Sequence, residues 1–391
     1  MARLLLFLLP VLSSGGGAAS SGCAALPKQA AYSVVVTERA AAPGGAALIS
    51  HANGTTAFNF SFTTAWFPSA SGGDGLIVRV VECNPDHHSC AGVAHPEWSN
   101  AGALAVVRAS LPARGALSAE PVTAAALSWL GAAAPPRANA SRWGFADPRA
   151  AFRAATGEVY VTWDNCTQNC FPTRTTMLAT SADPFDAASW VFHGALLGAG
   201  APYTGGAALL FRDGEPGAPP HLAFVGDSDT ANAIWLAESA DGRAWTVANK
   251  TWMVSRPDCW DHFGVAPAGQ PARLSNGDIL LLYNVDTGFP YHPNPLGRCA
   301  VGWAVLDGAD PSRVVARAQA PLLVPELPYE ADCAKQAECQ QPWVVFSTGL
   351  KPLGGDEFLV LYGGADSVVG AARIFVNVSA GGGGGVHANI Q

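Results

Sequence analysis

Asp147, Pro148 and Arg149 stand together in the stretch from Trp143 to Asn165, WGFADPRAAFRAATGEVYVTWDN, and combine a carboxyl group and a guanidinium on one short piece of chain. Proline's ring clashes with the right-handed helical conformation of the residue before it. The Asp147 carboxyl is therefore expected on extended or turning chain, with a cation two positions away. A carboxyl group so placed can accept backbone N–H groups of its own turn. It can also deliver a proton to a departing ligand oxygen, if burial raises its pKa toward working pH. Residue types alone leave both open.

The elements that must hold these groups read as short strands. A polar or glycine turn feeding an apolar run that ends in small or polar residues recurs at 72–82 (GGDGLIVRVVE), 155–164 (ATGEVYVTWD), 219–227 (PPHLAFVGD), 275–286 (SNGDILLLYNVD) and 354–366 (GGDEFLVLYGGAD). Companion strands at 176–181 and 233–239 each lead into an aspartate-containing turn and a tryptophan, SADPFDAASW and SADGRAW. Five recurrences of one unit predict radial repetition, in which neighbouring blades bury one another's faces. The fold class expected is all-β, a five-bladed β-propeller, with the recurrent runs as innermost strands whose polar ends converge on a central channel. A β-sandwich would accommodate the same strands and turns but not those repeated polar ends. No convincing capped amphipathic helix is visible.

Composition agrees with a large turn-rich β unit: of 391 residues 49% are hydrophobic and 13% charged, with 43 Gly and 29 Pro. A formal net charge of −8 gives no electrostatic reason to expect nucleic acid. A neutral or cationic partner fits better.

The N-terminus, MARLLLFLLPVLSSGGGAASSGCAALP, has one Arg, an apolar run from Leu4 to Leu12 and then small residues. That is the layout of a secretory signal peptide, with cleavage expected among residues 17 to 25. The run is too short for a bilayer, which needs about 20 apolar residues. The domain reading is a signal peptide over 1–25, a single propeller over 26–380 and a Gly-rich tail over 381–391. With Cys23 set aside, Cys83 and Cys90, Cys166 and Cys170, and Cys333 and Cys339 form local pairs, leaving Cys259 and Cys299. An even count at short spacing suggests disulfides in an oxidising compartment. Sequons at Asn53, Asn59, Asn139, Asn165, Asn249 and Asn377 point the same way. The expected location is secreted or in the secretory-pathway lumen, with no membrane association after cleavage.

Longer blocks then carry a resemblance. WGFADPR followed by GEVYVTW, then HFGVAPAGQPARLSNGDILLLYN, CAVGWAVLDGADPSRVVARAQAPLLVPELPYE and VVFSTGLKPLGGDEFLVLYGGADSVVGAARI resemble the β-mannoside phosphorylases and β-1,2-mannosidases of glycoside hydrolase family 130, over roughly residues 55 to 376. The resemblance implies a five-bladed propeller acting on an oligosaccharide or glycan. It places Asp147 as the sole protein acid, protonating the glycosidic oxygen while phosphate or water attacks the anomeric carbon. Arg149 would hold an anion or sugar hydroxyls, Asp366 would hydrogen-bond the mannosyl group, and Asn59 and Arg79 would line the anion and sugar pocket.

Departures bear on the attacking group. Ala146 replaces a family glutamate, Asp227 stands where the phosphorylases carry an arginine, and only His262 lies near the position of an expected lysine. Phosphate needs several fixed donors, so hydrolysis is favoured over a phosphorolysis that would release mannose 1-phosphate. A propeller that binds glycan without catalysis is the third reading. No cofactor is implied, inorganic phosphate entering as co-substrate only for a phosphorylase. No metal site is expected either, because Cys166 and Cys170 lack a second Cys/His pair at finger spacing. An inverting hydrolase also needs a second carboxylate to activate water; Glu330, Asp261 and Asp227 are the candidates. Trp143, Trp163, Trp260, Trp303, Trp343 and Tyr362 fall at or near proposed strand ends, where one or two could pack on a sugar face. The sucrose- and fructan-cleaving propellers share short Asp-Pro and Glu-Cys motifs. Here Glu82-Cys83 and Asp147-Pro148 come in the opposite order, and the Asn-Asp-Pro nucleophile motif is missing.

Overall fold

A computed structural model describes residues 23–39, 47–49, 58–69, 72–82, 102–119, 144–166, 175–198, 205–217, 219–226, 232–286, 299–331, 343–366 and 368–379. They form five antiparallel sheets arranged as the blades of a β-propeller. Blade I contains β2 (Phe58–Pro68), β3 (Asp74–Glu82), β4 (Gly102–Ser110) and β5 (Ser118–Ala119). Blade II contains β6 (Gly144–Arg153), β7 (Glu158–Cys166), β8 (Thr175–Ser181) and β9 (Val191–Ala195). Blade III contains β10 (Ala207–Leu210), β11 (His221–Val225), β12 (Ala233–Ser239) and β13 (Thr246–Val254). Blade IV runs β14 (Gly264–Pro267), β16 (Ile279–Asp286), β17 (Cys299–Leu306) and β18 (Val314–Arg317), with short β15 (Ala272–Arg273) also paired to β16. Blade V runs β19 (Val345–Gly354), β20 (Glu357–Gly364) and β21 (Val368–Val378), and its outermost strand is the N-terminal β1 (Tyr32–Glu38).

The recurrent apolar runs are the second strand of each blade, not the innermost one as the sequence reading had it. The innermost strands are β2, β6, β10, β14 and β19. Burial explains the difference. A second strand has a sheet neighbour on each side and a neighbouring blade against each face, so it reads as continuously apolar. Along β7, Val159, Val161 and Trp163 pack with Ala65, Phe67 and Ile77 of blade I, while Tyr160 packs with Leu209, Ala223 and Val225 of blade III. Equivalent apolar clusters fill the seams between blades III and IV, IV and V, and V and I. The companion strands are third strands, and their turns close on Trp190 and Trp245, whose indole N–H groups donate to Pro184 O (3.2 Å) and Gly242 O (3.0 Å).

Closure is made by the N-terminal segment. β1 pairs antiparallel with β21 from Tyr32↔Val378 to Glu38↔Arg373. Just before it, Lys28 reaches Asp278 of blade IV at 3.0 Å, and Tyr32 donates to the same carboxylate. Cys23 is disulfide-bonded to Cys259, 236 residues away in sequence, which corrects its exclusion from the cysteine framework. Cys299 is buried at the start of β17. The proposed local pairs each include a cysteine outside the described residues. Among the described residues no helix is long and apolar enough to cross a membrane.

Cys23→Ser is expected to lower unfolding stability by about 2–5 kcal/mol, since the bond closes a long loop in the unfolded chain. Urea titrations with and without reductant check this: the variant's midpoint should lie below that of wild type, and reductant should shift wild type further than it shifts the variant.

Candidate active site

Because strands run antiparallel, each innermost strand begins where its second strand ends. Ala146 pairs with Asp164, Phe62 with Arg79, Gly264 with Asp286, and Val345 with Gly364. All these ends lie on one face of the ring, here the upper face. Asn59 near the start of β2, Arg79 near the end of β3, Asp147 near the start of β6, His262 just before β14 and Asp366 just after β20 all belong to it. The side chain of Asn59 is outside the described residues, as are Trp143 and Asp227.

Two of these groups are brought into contact. Arg79 shares the face of β3 that carries Ile77, the face packed against blade II, and is almost wholly buried. One strand end further up, its Nη1 lies 3.9 Å from Asp147 Oδ1, with the Asp147 side chain 19% exposed. The carboxylate thus has a buried cation on one side and an opening on the other. Asp147 itself sits in a bulge of β6, between the pairs Ala146↔Asp164 and Arg149↔Thr162, with φ at +48°. The residue before proline has left the right-handed region, as the sequence requires, but for the left-handed one.

Such backbone is strained for a residue with a Cβ, by roughly 1–3 kcal/mol. Among the described residues the non-glycine cases are Asp147, Trp343, Ala365 and Asp366. All four lie on the upper face: Trp343 two residues before β19, and Ala365 and Asp366 in the turn after β20, where Ala365 N donates to Val344 O at 3.0 Å. Trp343 is 45% exposed. The other described aromatics weighed for sugar contact are Trp163, Trp303 and Tyr362, which are buried, and Trp260, which stacks on Tyr283 at 6.0 Å. Trp343 is the most exposed of them.

Arg149 is placed differently from an anion ligand. Its guanidinium is 98% buried, Nε donates to Pro267 O (2.9 Å) and Ala268 O (3.1 Å) of blade IV, and Nη1 donates to Asp147 O (2.9 Å). His262 is exposed, and its Nδ1 pairs with the carbonyl of Cys259 at 3.0 Å.

Glu330 and Asp261, weighed as water-activating bases, are sealed inside the fold. Glu330 lies in the one-turn helix α1 (Pro328–Ala331) and is fully buried. Its Oε1 accepts from Tyr362 (2.6 Å) and Arg39 (3.1 Å), and its Oε2 from Glu326 N (2.8 Å) and Leu327 N (2.9 Å). Burial beside this carboxylate raises the Tyr362 phenol far above its usual range, and burial pushes Tyr329 up to about 12. Asp261, also fully buried, is held by Arg256 (2.9 Å), Arg317 (2.6 Å) and the Tyr283 hydroxyl (2.9 Å). Among the described residues no group of three or more His, Cys, Asp or Glu could hold a metal. A cleft of about 420 Å³ lined by Phe211, Asp213, Glu215 and Arg273 opens on the opposite, lower face, away from Asp147.

Residues 133–378, well over half of the chain, match the family model described as beta-1,4-mannooligosaccharide phosphorylase. The chain belongs to glycoside hydrolase family 130. Asp147, Arg149, His262 and Asp366 fall inside that match, whereas Asn59 and Arg79 precede it. A 1,2-beta-oligomannan phosphorylase of Thermoanaerobacter sp. (strain X514) is 34% identical over 139 residues, 36% of this chain and 42% of the relative, so the similarity spans under half of that enzyme. A glycosyl hydrolase from Bacteroides ovatus shares the fold with a TM-score of 0.62 at 18% identity, covering 87% of this chain and 94% of the other. A further structure, from work reporting that this family of mannoside phosphorylases contains glycoside hydrolases targeting beta-1,2 mannosidic linkages in Candida mannan, gives 0.61 at 19% identity over 86% and 96%.

Glu330→Gln should cost about 3 kcal/mol or more of stability by leaving the Arg39 charge without its buried partner. Denaturant unfolding reads this directly, and turnover per folded molecule should stay close to wild type. Loss of turnover at unchanged stability would instead return Glu330 to the list of bases.

Proposed function

We propose that the protein cleaves β-mannosides, with Asp147 as the acid that protonates the departing sugar oxygen. The observation that carries this is Asp147 itself: a partly exposed carboxyl group on strained backbone, 3.9 Å from the buried Arg79, at the face where the other strained residues gather. Family membership supplies the substrate class, an oligosaccharide bearing β-linked mannose. Asp366 is the proposed mannosyl ligand, and Asn59, Arg79 and His262 are the further residues proposed to bind substrate.

Hydrolysis is favoured over phosphorolysis. Phosphate calls for several cations in fixed positions. Here Arg149 is bonded to carbonyls, and Arg79 faces the acid. With Glu330 and Asp261 sealed in, Asp227 is the remaining carboxylate of the three weighed for activating water across the about 6.5–9.5 Å gap of an inverting mechanism. A phosphorylase is the second reading, favoured by the 34%-identical oligomannan phosphorylase.

Incubation with β-1,2- and β-1,4-linked mannobiose, with and without phosphate, separates the two. Free mannose at a rate indifferent to phosphate is expected, and Asp147→Asn should lower that rate by about 10²-fold or more. Phosphate-dependent mannose 1-phosphate would establish phosphorolysis, and binding without turnover would leave a glycan-binding propeller.

Export is part of the same proposal, supported by the signal-like N-terminus, by the Cys23–Cys259 bond and by the exposed sequon residues Asn249 and Asn377. The bond also narrows the processing window, because the mature chain must retain Cys23. Protein secreted by a eukaryotic host should begin at or before residue 23 and lose mass on deglycosylation; an N-terminus beyond Cys23 would contradict both the bond and the window.

A further inference from the structure

We infer that Arg149 is a positioning residue that fixes the backbone carrying the acid, and that Gly206 is the cradle that lets it do so. The inference rests on Asp147 being the proton donor.

Asp147 holds a left-handed φ of +48° although it carries a side chain, a conformation that persists only when its surroundings over-determine it. Pro148 follows, so the peptide between them has no N–H with which to register in the β6–β7 ladder, and pairing lapses from Ala146 to Arg149. What remains to hold that peptide is its carbonyl. Arg149 Nη1 donates to Asp147 O at 2.9 Å, while Nε of the same planar group donates to Pro267 O and Ala268 O at 2.9 and 3.1 Å. Pro267 ends β14, the innermost strand of blade IV. One rigid fork therefore ties the acid's backbone to a strand two blades away, and a fork of fixed geometry transmits position better than a flexible ammonium.

Room for the fork comes from blade III. A Cβ on Gly206 would fall on the Arg149 guanidinium, so any side chain there displaces it. Gly206 is itself held, its N–H donating to Asp164 Oδ1, and Asp164 is the ladder partner of Ala146, next to the acid. The path Asp164, Gly206, Arg149, Asp147 closes on itself around the bulge.

The test uses leaving groups. A dinitrophenyl β-mannoside departs without a proton, whereas mannobiose needs one, so misplacing the acid should harm only the second. Arg149→Lys, Arg149→Met and Gly206→Ala are each compared with wild type on both substrates, with thermal unfolding in parallel. Turnover of mannobiose is expected to fall about 10²-fold, as for a misplacement of about 1 Å. KM should be little changed, and dinitrophenyl mannoside turnover should stay within a few-fold of wild type. Equal losses on both substrates by a variant that is still folded would overturn the inference, marking Arg149 as a ligand for sugar or nucleophile, as would unchanged turnover of mannobiose. Arg149→Lys and Gly206→Ala keep the buried charge and serve if Arg149→Met does not fold. Asp147→Asn separates the two claims: if it turns over mannobiose normally, the acid assignment itself fails. If it is impaired while the Arg149 and Gly206 variants are not, only the positioning role fails.

Discussion

The innermost strand of every blade is hydrogen-bonded on one side only, and its other edge points toward the axis of a narrow ring. Backbone N–H and C=O groups there are buried from water and must find partners. In this protein side chains from neighbouring blades supply them. Thr162 of β7 both donates to Ala207 O (2.7 Å) and accepts from Ala207 N (3.1 Å). Asn284 of β16 does the same for Ser347, donating to its O (2.8 Å) and accepting from its N (2.7 Å). Gln270 exchanges two bonds with Phe152, and Arg149 caps two carbonyls of blade IV. Lateral polar bonds of this kind lock one blade against the next, while the apolar seams supply the bulk of the burial.

That constraint sorts the polar residues at the strand ends. Some of those near the upper face are spent on the seams between blades, and others stand where the ladder is interrupted or has ended. Thr162 and Asn284 are of the first kind; Asp147, in the bulge of β6, and Asp366, in the turn after β20, are of the second. Strain follows the same division, because the non-glycine residues of positive φ among the described residues sit in that bulge, just before β19 or in the turn after β20. The seams above which they stand are filled with fully buried side chains such as Tyr160, Phe224 and Leu282's neighbour Tyr283. A site of this kind can hold unfavourable backbone because a large, well-packed ring beneath it offsets the cost.

The same sorting explains what the sequence reveals. Second strands are legible because they are buried on both faces and read as unbroken apolar runs; β16, ILLLYNVD, is one such case. Innermost strands are not, since β10 and β14 are four residues each, AALL and GVAP, too short for any period to show. The number of blades is therefore legible while the order of strands within a blade is not, and several of the polar strand ends belong to the seams. Asp147 was visible through its Asp-Pro-Arg setting, but its left-handed backbone was not, because that depends on Pro267 and Gly206 from other blades. The Cys23–Cys259 bond was equally hidden: it joins distant residues, and Cys23 lay within the window assigned to cleavage.

Two arginines illustrate how placement rather than type decides a role. Arg79 and Arg149 both approach Asp147, and both are almost wholly buried. Arg79 comes from a second strand, on the face shared with Ile77, and meets the carboxylate of Asp147. Arg149 comes from the innermost strand itself, just past the bulge, and meets the carbonyl of the same residue. One cation therefore faces the carboxylate of Asp147 and the other its backbone. Neither guanidinium is open to solvent, so each is placed by the packing of the blades around it.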